Sequence, residues 1–175
     1  MMFERMFLCA PMVSIDGLPL GMSGMASLME AACFIGMGEM ALGRKGDKPP
    51  SSENFPGNVL TSDFKRYMRV VDSWAACPDL EIAAPSFRWL AAAMRAMARA
   101  GADDFPEKVK TPLLMVAAAR DEVVSTSAIE HLGLRLRTGR HAVIAHARHE
   151  MFMESDDIRA QLFAAFDAFI TERSQ

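Results

Sequence analysis

Two apolar runs constrain this chain more than anything else in it. Leu113–Ala119 is almost entirely aliphatic and gives way to Arg120 and Asp121. A helix-length gap follows, then Arg140–Ala145, and that run gives way to His146 and His149. Short continuous apolar runs bounded by polar residues read as strands buried on both faces. A strand, a helix-length connection and another strand form a parallel pair with a crossover. Asp121 and His149 then follow the carboxyl ends of neighbouring parallel strands, where open α/β sheets place their sites.

The rest of the chain fits around that pair. Arg5–Val13 reads as a third short strand, stopped near Pro11. Asp16–Pro19 is turn chemistry, and Met25, Leu28, Met29 and Ala32 recur at helical spacing from about Ser23. Gly43–Asn58 is a loop rich in Gly, Pro and Ser. Thr61 or Ser62 is expected to cap the next helix, whose stripe is Phe64, Tyr67, Met68, Val71 and Trp74, with Cys77–Pro78 as its stop. Pro85 is expected to open a further helix with the stripe Phe87, Leu90, Met94 and Met97, ending at Gly101. Ala102–Lys110 reads as a polar linker. Ser127–Glu130 has the spacing of a capping box, and Ser155 precedes a last helix striped by Ile158, Leu162, Phe166, Phe169 and Ile170.

This predicts an α/β fold with about three parallel strands. Between the first two strands lie some ninety residues, far more than the dozen or so a crossover needs. The excess predicts a helical insertion, expected over residues 16–105, on a core of residues 1–15 and 106–175. Helical insertions above the carboxyl ends of a sheet commonly act as lids.

Composition removes several functional classes. The 175 residues carry a net charge of −3, with no cluster of Lys and Arg, which argues against a nucleic-acid surface. Cys9, Cys33 and Cys77 are widely spaced, so neither a disulfide framework nor a zinc site is expected, and a reducing, cytoplasmic compartment fits. No run reaches the roughly 18 apolar residues of a membrane span. Glu4 and Arg5 interrupt the first residues, so no signal peptide is expected. Methionine is frequent, with 15 residues, and ordinary core filling is the favoured reading over a substrate-facing role.

An acid and a histidine at successive strand ends suit a hydrolytic relay. The acid accepts from one imidazole nitrogen and fixes the tautomer; the other nitrogen serves as base. Singly, Asp121 is a turn residue and His149 a loop histidine; in this order and at strand ends, the pair favours function. His146 and His149 with Glu150 lack a His-Glu-x-x-His pattern, so no metal is expected, and no cofactor either. His131 and His141 read as surface residues. Ser23, in Gly21–Met25, is not followed by the glycine of a nucleophile elbow and reads as a helix cap, as does Ser86.

The chain resembles the lysophospholipase and monoacylglycerol-lipase group of α/β-hydrolases, most of all its bacterial lysophospholipase L2-like branch. The resemblance lies in Leu8–Met12, Asn58–Asp63 with Arg66 and Tyr67, Ala84–Leu90, Thr111–Met115, Asp121–Val124, and Ala147–Glu150 with Glu154, Asp156 and Arg159. It implies that Asp121 and His149 are triad members and that the middle region is a helical cap. Trp74, Phe87 and Trp89 become candidates for holding the acyl chain of an acyl ester or lysophospholipid. In that group Leu8–Met12 follows the helix after the nucleophile, so the resemblance covers the C-terminal half of the fold. The serine and oxyanion-hole loop are expected upstream, making the missing N-terminal half a prospective partner and this chain alone inactive. His146 stands where glycine is usual. The competing expectations are a non-catalytic truncated protein or lipid-binding module, and a half-enzyme completed by another chain.

Overall fold

In the computed structural model, residues 3–42, 52–80 and 84–171 are described, apart from the side chains of Ser52 and Leu80. Three strands form one sheet in the order β1 (Met6–Cys9), β2 (Leu113–Ala118), β3 (Gly139–Ile144). Both pairings are parallel, with Met6 opposite Leu113 and Leu113 opposite Gly139. Every residue of β2 is buried, as a central strand covered on both faces requires. The main core gathers β2 with Ile129, Leu132 and Leu136 from the helical side and Ile158, Leu162 and Phe169 from the last helix.

The long connection between β1 and β2 is helical. It comprises α1 (Gly21–Phe34), α2 (Phe64–Ala76), α3 (Phe87–Gly101) and a short α4 (Phe105–Lys108). Helices α5 (Thr126–Arg135) and α6 (Asp156–Thr171) follow β2 and β3. α1 packs on α3, and a second apolar cluster separate from the sheet core forms there. Met94 and Met97 are buried in it, with Met22, Met25 and Ile15 against them. Met29, Met115 and Met151 are also buried, so these methionines act as filling.

Several boundaries differ from the sequence expectation. The first strand is only Met6–Cys9, because Ala10 turns into the left-handed region at φ 43°. α1 starts at Gly21, so Ser23 lies inside its first turn, and no side chain caps it. Asp63, not Thr61 or Ser62, caps α2, accepting from Arg66 N. Thr61 and Ser62 spend their hydroxyls on the loop after β3 instead. Ser86 caps α3, accepting from Trp89 N, so Pro85 lies before the helix. The cap of α5 is Ser125, accepting from Ala128 N, which leaves the Ser127–Glu130 box unused. The expected linker Ala102–Lys110 contains α4, opened by Pro106 at its first turn. Most of the expected loop Gly43–Asn58 lies outside the described residues; its described end includes a 3-10 turn, Ser52–Gly57. His131 is exposed as expected, but His141 is half-buried beside Gly133.

The last helix buries Ile158, Leu162 and Phe169, while Phe166 and Ile170 of the same expected stripe stay exposed. Phe166 meets Phe7 of β1 edge to face, at 5.2 Å between ring centres. Among the described residues β1 pairs on one side only.

Candidate active site

The site grows from the carboxyl edge of the sheet. Beyond β2, Ala119 N donates to Ile144 O and Arg120 N donates to Ala147 O. These bonds extend the β2–β3 ladder into the two loops and hold the loops together. Asp121 follows directly. Its Oδ1 accepts from Val123 N at 2.8 Å and Val124 N at 2.9 Å. An aspartate bonding the backbone two and three residues on is the ordinary way to tighten a turn before a helix. That turn leads into Ser125 and α5.

On the neighbouring strand, β3 ends at Ile144 and His146 adopts φ 64°. Histidine tolerates the left-handed region better than most residues, and glycine does so without cost. The turn buries Ala147 completely and brings His149 back over β2. His149 Nδ1 lies 2.9 Å from Asp121 Oδ2 and 3.2 Å from Oδ1. The Asp121 side chain has no exposed surface; that of His149 is 23% exposed. A carboxylate only accepts, so the pairing puts the proton on Nδ1 and leaves Nε2 as the basic nitrogen. The acid and the histidine singled out in the sequence are therefore in contact.

Cys9, at the end of β1, stands at the same edge, a position that its sequence spacing from Cys33 and Cys77 does not reveal. It lines a cavity of about 360 Å³ together with Ala10, His149 and Phe152. Its thiol is pushed up to about 11, first by burial and then by the Asp121 carboxylate. A thiol so disfavoured from ionising is a poor nucleophile at neutral pH. Its position at a strand end was the available signal.

A second cavity of about 460 Å³ lies between α2 and the loop after β3. Trp74, Tyr67, Val70 and Leu60 give it an apolar lining, and it shares Glu150 and Met153 with the cavity beside His149. Trp74 is thus near the site. Phe87 and Trp89 are not part of either cavity; both sit at the start of α3, where Trp89 is 53% exposed.

A parallel sheet with a buried acid and a paired histidine at its carboxyl edge, and helices inserted between strands, is the arrangement found in α/β-hydrolases. Residues 2–156 match the family described as serine aminopeptidase, S33, and the chain belongs to that family. It is 31% identical over 128 residues to lysophospholipase L2 of Escherichia coli K12, covering 66% of this chain and 36% of that protein. It is 26% identical over 100 residues to the probable lysophospholipase L2 of Haemophilus influenzae, covering 55% of this chain and 30% of that protein. The chain thus spans about a third of the length of the curated relatives it matches. Among solved structures it resembles a soluble variant of monoglyceride lipase from Saccharomyces cerevisiae, with a TM-score of 0.69 and 13% identity over 96% of this chain and 55% of that one. A carboxyl esterase from Bacillus coagulans is similar at a TM-score of 0.67 and 18% identity, over 97% of this chain and 56% of that one. In sequence the chain is thus similar to lysophospholipases L2, and it shares its fold with monoglyceride lipase and carboxyl esterase structures.

Proposed function

We propose that Asp121 and His149 are the acid and base of a Ser-His-Asp relay that hydrolyses a carboxylic ester of an acyl lipid. The observation that carries this reading is the 2.9 Å contact between His149 Nδ1 and a fully buried Asp121 on the adjacent strand loop. In the reaction, Nε2 of His149 takes the proton from a serine hydroxyl as the serine attacks the ester carbonyl. It then passes that proton to the leaving alcohol, and Asp121 stabilises the imidazolium throughout.

In this scheme the serine comes from polypeptide outside this sequence; Ser23 lies in the first turn of α1 without the strand of a nucleophile elbow leading into it, and Ser86 is occupied as a helix cap. On this reading the chain is the C-terminal half of the catalytic domain and is inactive alone. Residues 16–105 form the cap, and the cavity holding Trp74 takes the acyl chain. Phe87 and Trp89 lie apart from that cavity, so Trp74 is the one acyl-contact residue we retain. The names of the curated relatives support an ester of lysophospholipid type. Unpaired Cys9, Cys33 and Cys77 support a cytoplasmic location. Among the described residues no helix is long and apolar enough to cross a membrane.

The test is complementation. This chain is co-expressed with the N-terminal half of a family member carrying a Gly-x-Ser-x-Gly elbow, and hydrolysis of a nitrophenyl ester and of a lysophospholipid is measured. Activity should appear only with both halves and should vanish in His149→Ala. Esterase activity that survives His149→Ala, or fluorophosphonate labelling of a serine in this chain alone, overturns the reading. Detergent binding reported by Trp74 fluorescence, without activity under complementation, favours a lipid-binding module instead.

A further inference from the structure

Five residues after His149, Glu154 is a carboxylate with no exposed surface. Its donors come from two places far apart in sequence. Oε1 accepts from Arg148 N at 2.9 Å, the peptide next to His149. Ser62 N lies 3.1 Å from both oxygens, and Ser62 Oγ donates to Oε2 at 2.5 Å. Ser62 belongs to the strap of residues 58–62 that leads into α2.

The neighbouring bonds repeat the same pairing. Thr61 Oγ1 donates to Met153 O at 2.6 Å, and Glu150 N donates to Leu60 O at 2.8 Å. The Arg148 guanidinium donates to Asn58 O. Arg66, from α2, donates to Glu154 O at 2.9 Å and to Asp156 at 2.6 Å, and holds the Asp156 carboxyl below its usual range. Strap and histidine loop are therefore stitched along their whole contact, with Glu154 at the centre.

A buried carboxylate is tolerated only while its donors surround it. Hydrogen bonds to an ionised acceptor are roughly twice as strong as neutral ones. If the strap lifts, Glu154 loses the Ser62 donors in a dry place, and the carboxylate must turn to find others. Arg148 N then loses its acceptor, and the peptide entering His149 is no longer fixed. The strap also supplies Val59, Leu60 and Thr61 to the wall of the cavity that holds Trp74.

We infer that Glu154 is a positioning residue that couples the seating of the 58–62 strap to the orientation of His149, so that the imidazole meets Asp121 only while the strap is down. This deepens the function proposed above, since it rests on His149 being the base. Filling the cavity beside the strap and aligning the imidazole become one event.

The readout is the His149 tautomer in the purified full chain, labelled with 15N-histidine and observed by NMR at alkaline pH, with His149→Ala assigning its signals. Pairing with Asp121 holds the proton on Nδ1, whereas a free imidazole prefers it on Nε2. The wild type is expected to show the Nδ1–H form. Ser62→Ala should shift part of the population to Nε2–H, Glu154→Gln more of it, and Asp121→Asn should remove the Nδ1–H form. Ser62 touches neither His149 nor Asp121, so a purely structural role would lower the unfolding midpoint and leave the tautomer as in the wild type; that result overturns the coupling. Ser62→Ala removes one hydroxyl from an exposed residue, so it decides the matter even if Glu154→Gln fails to fold. A wild type lacking the Nδ1–H form would sink the reading of His149 as base, and the coupling with it. An unchanged tautomer in Ser62→Ala, beside a normal wild type, sinks the coupling alone.

Discussion

Asp121 has a structural task that can be weighed apart from any chemistry, by comparing Asp121→Asn with Asp121→Ala. In the native chain one buried carboxylate satisfies Val123 N, Val124 N and His149 Nδ1. Asparagine keeps an oxygen where both backbone donors can reach it. It loses the charge-assisted bond to His149, but that imidazole is partly exposed and water can replace the contact. The expected cost is about 1 kcal/mol. Alanine leaves both backbone donors without an acceptor, and Val124 is only 5% exposed. An unsatisfied buried donor costs about 1–3 kcal/mol, so Asp121→Ala should lose about 3 kcal/mol in all. At roughly 2–4 °C per kcal/mol for a chain of this size, the two variants should melt about 4–8 °C apart. Urea unfolding followed by far-ultraviolet circular dichroism, at fixed protein concentration, gives the same ranking independently. An alanine variant as stable as the asparagine variant would refute the argument, because the carboxylate would then not be holding the turn.

Three further outcomes are expected. Burial and Asp121 raise Cys9 to about 11 in the folded chain against an ordinary 9.0, so its contribution to stability is complete below pH 9 and disappears as pH rises toward 11; Cys9→Ala should flatten that part of a stability–pH curve, and Asp121→Asn should speed alkylation of Cys9 by iodoacetamide. A Cβ on Gly133 would sit 2.6 Å from His141 Nδ1 and 2.8 Å from His141 Cβ, so Gly133→Ala should destabilise by about 1–3 kcal/mol despite alanine's better helix propensity; His141→Ala in the same chain should rescue it only in part, since the Cβ contact remains, and full rescue or no loss at all would contradict the packing. Finally, among the described residues β1 pairs on one side only, beside exposed Leu8, Phe152, Phe163 and Phe166, so the chain should self-associate in sedimentation at about micromolar concentration and Leu8→Lys should weaken that; a wild type that stays monomeric would count against an open edge.

What could be read in the sequence follows from the range of the forces involved. β2 was legible because a doubly covered strand has to be apolar throughout, and β3, which is only partly buried and carries Arg140 and His141, through its apolar end Ala142–Ile144. Asp121 and His149 were legible because polar residues just past such strands stand at the edge where sites form. The helix starts were harder. Thr61, Ser62 and Asp63 are all good caps, and only the distant Glu154 and Met153 O show that the two hydroxyls are already engaged. Glu154 entered only through the family resemblance, and its partner was hidden because it lies 92 residues away. The resemblance made Trp74, Phe87 and Trp89 candidates alike; only packing separates the one lining a cavity from the two that do not. The left-handed turn at His146 matches the glycine that the family resemblance led one to expect there.

The order of the strands has a kinetic consequence. β2 and β3 are joined through α5 alone, whereas β1 must find β2 across the whole helical layer, a loop roughly five times as long. Loop closure grows only with the logarithm of length, so the extra entropy is modest, about 1.4 kcal/mol. It is nevertheless the more non-local of the two strand pairings, and such contacts are expected to form late. The unit β2–α5–β3 can assemble as soon as its own residues are free to meet, and it already contains Asp121 and His149. Cys9 and the rest of β1 are expected to join that unit afterwards, and with them the part of the lining of the cavity beside the histidine that β1 supplies.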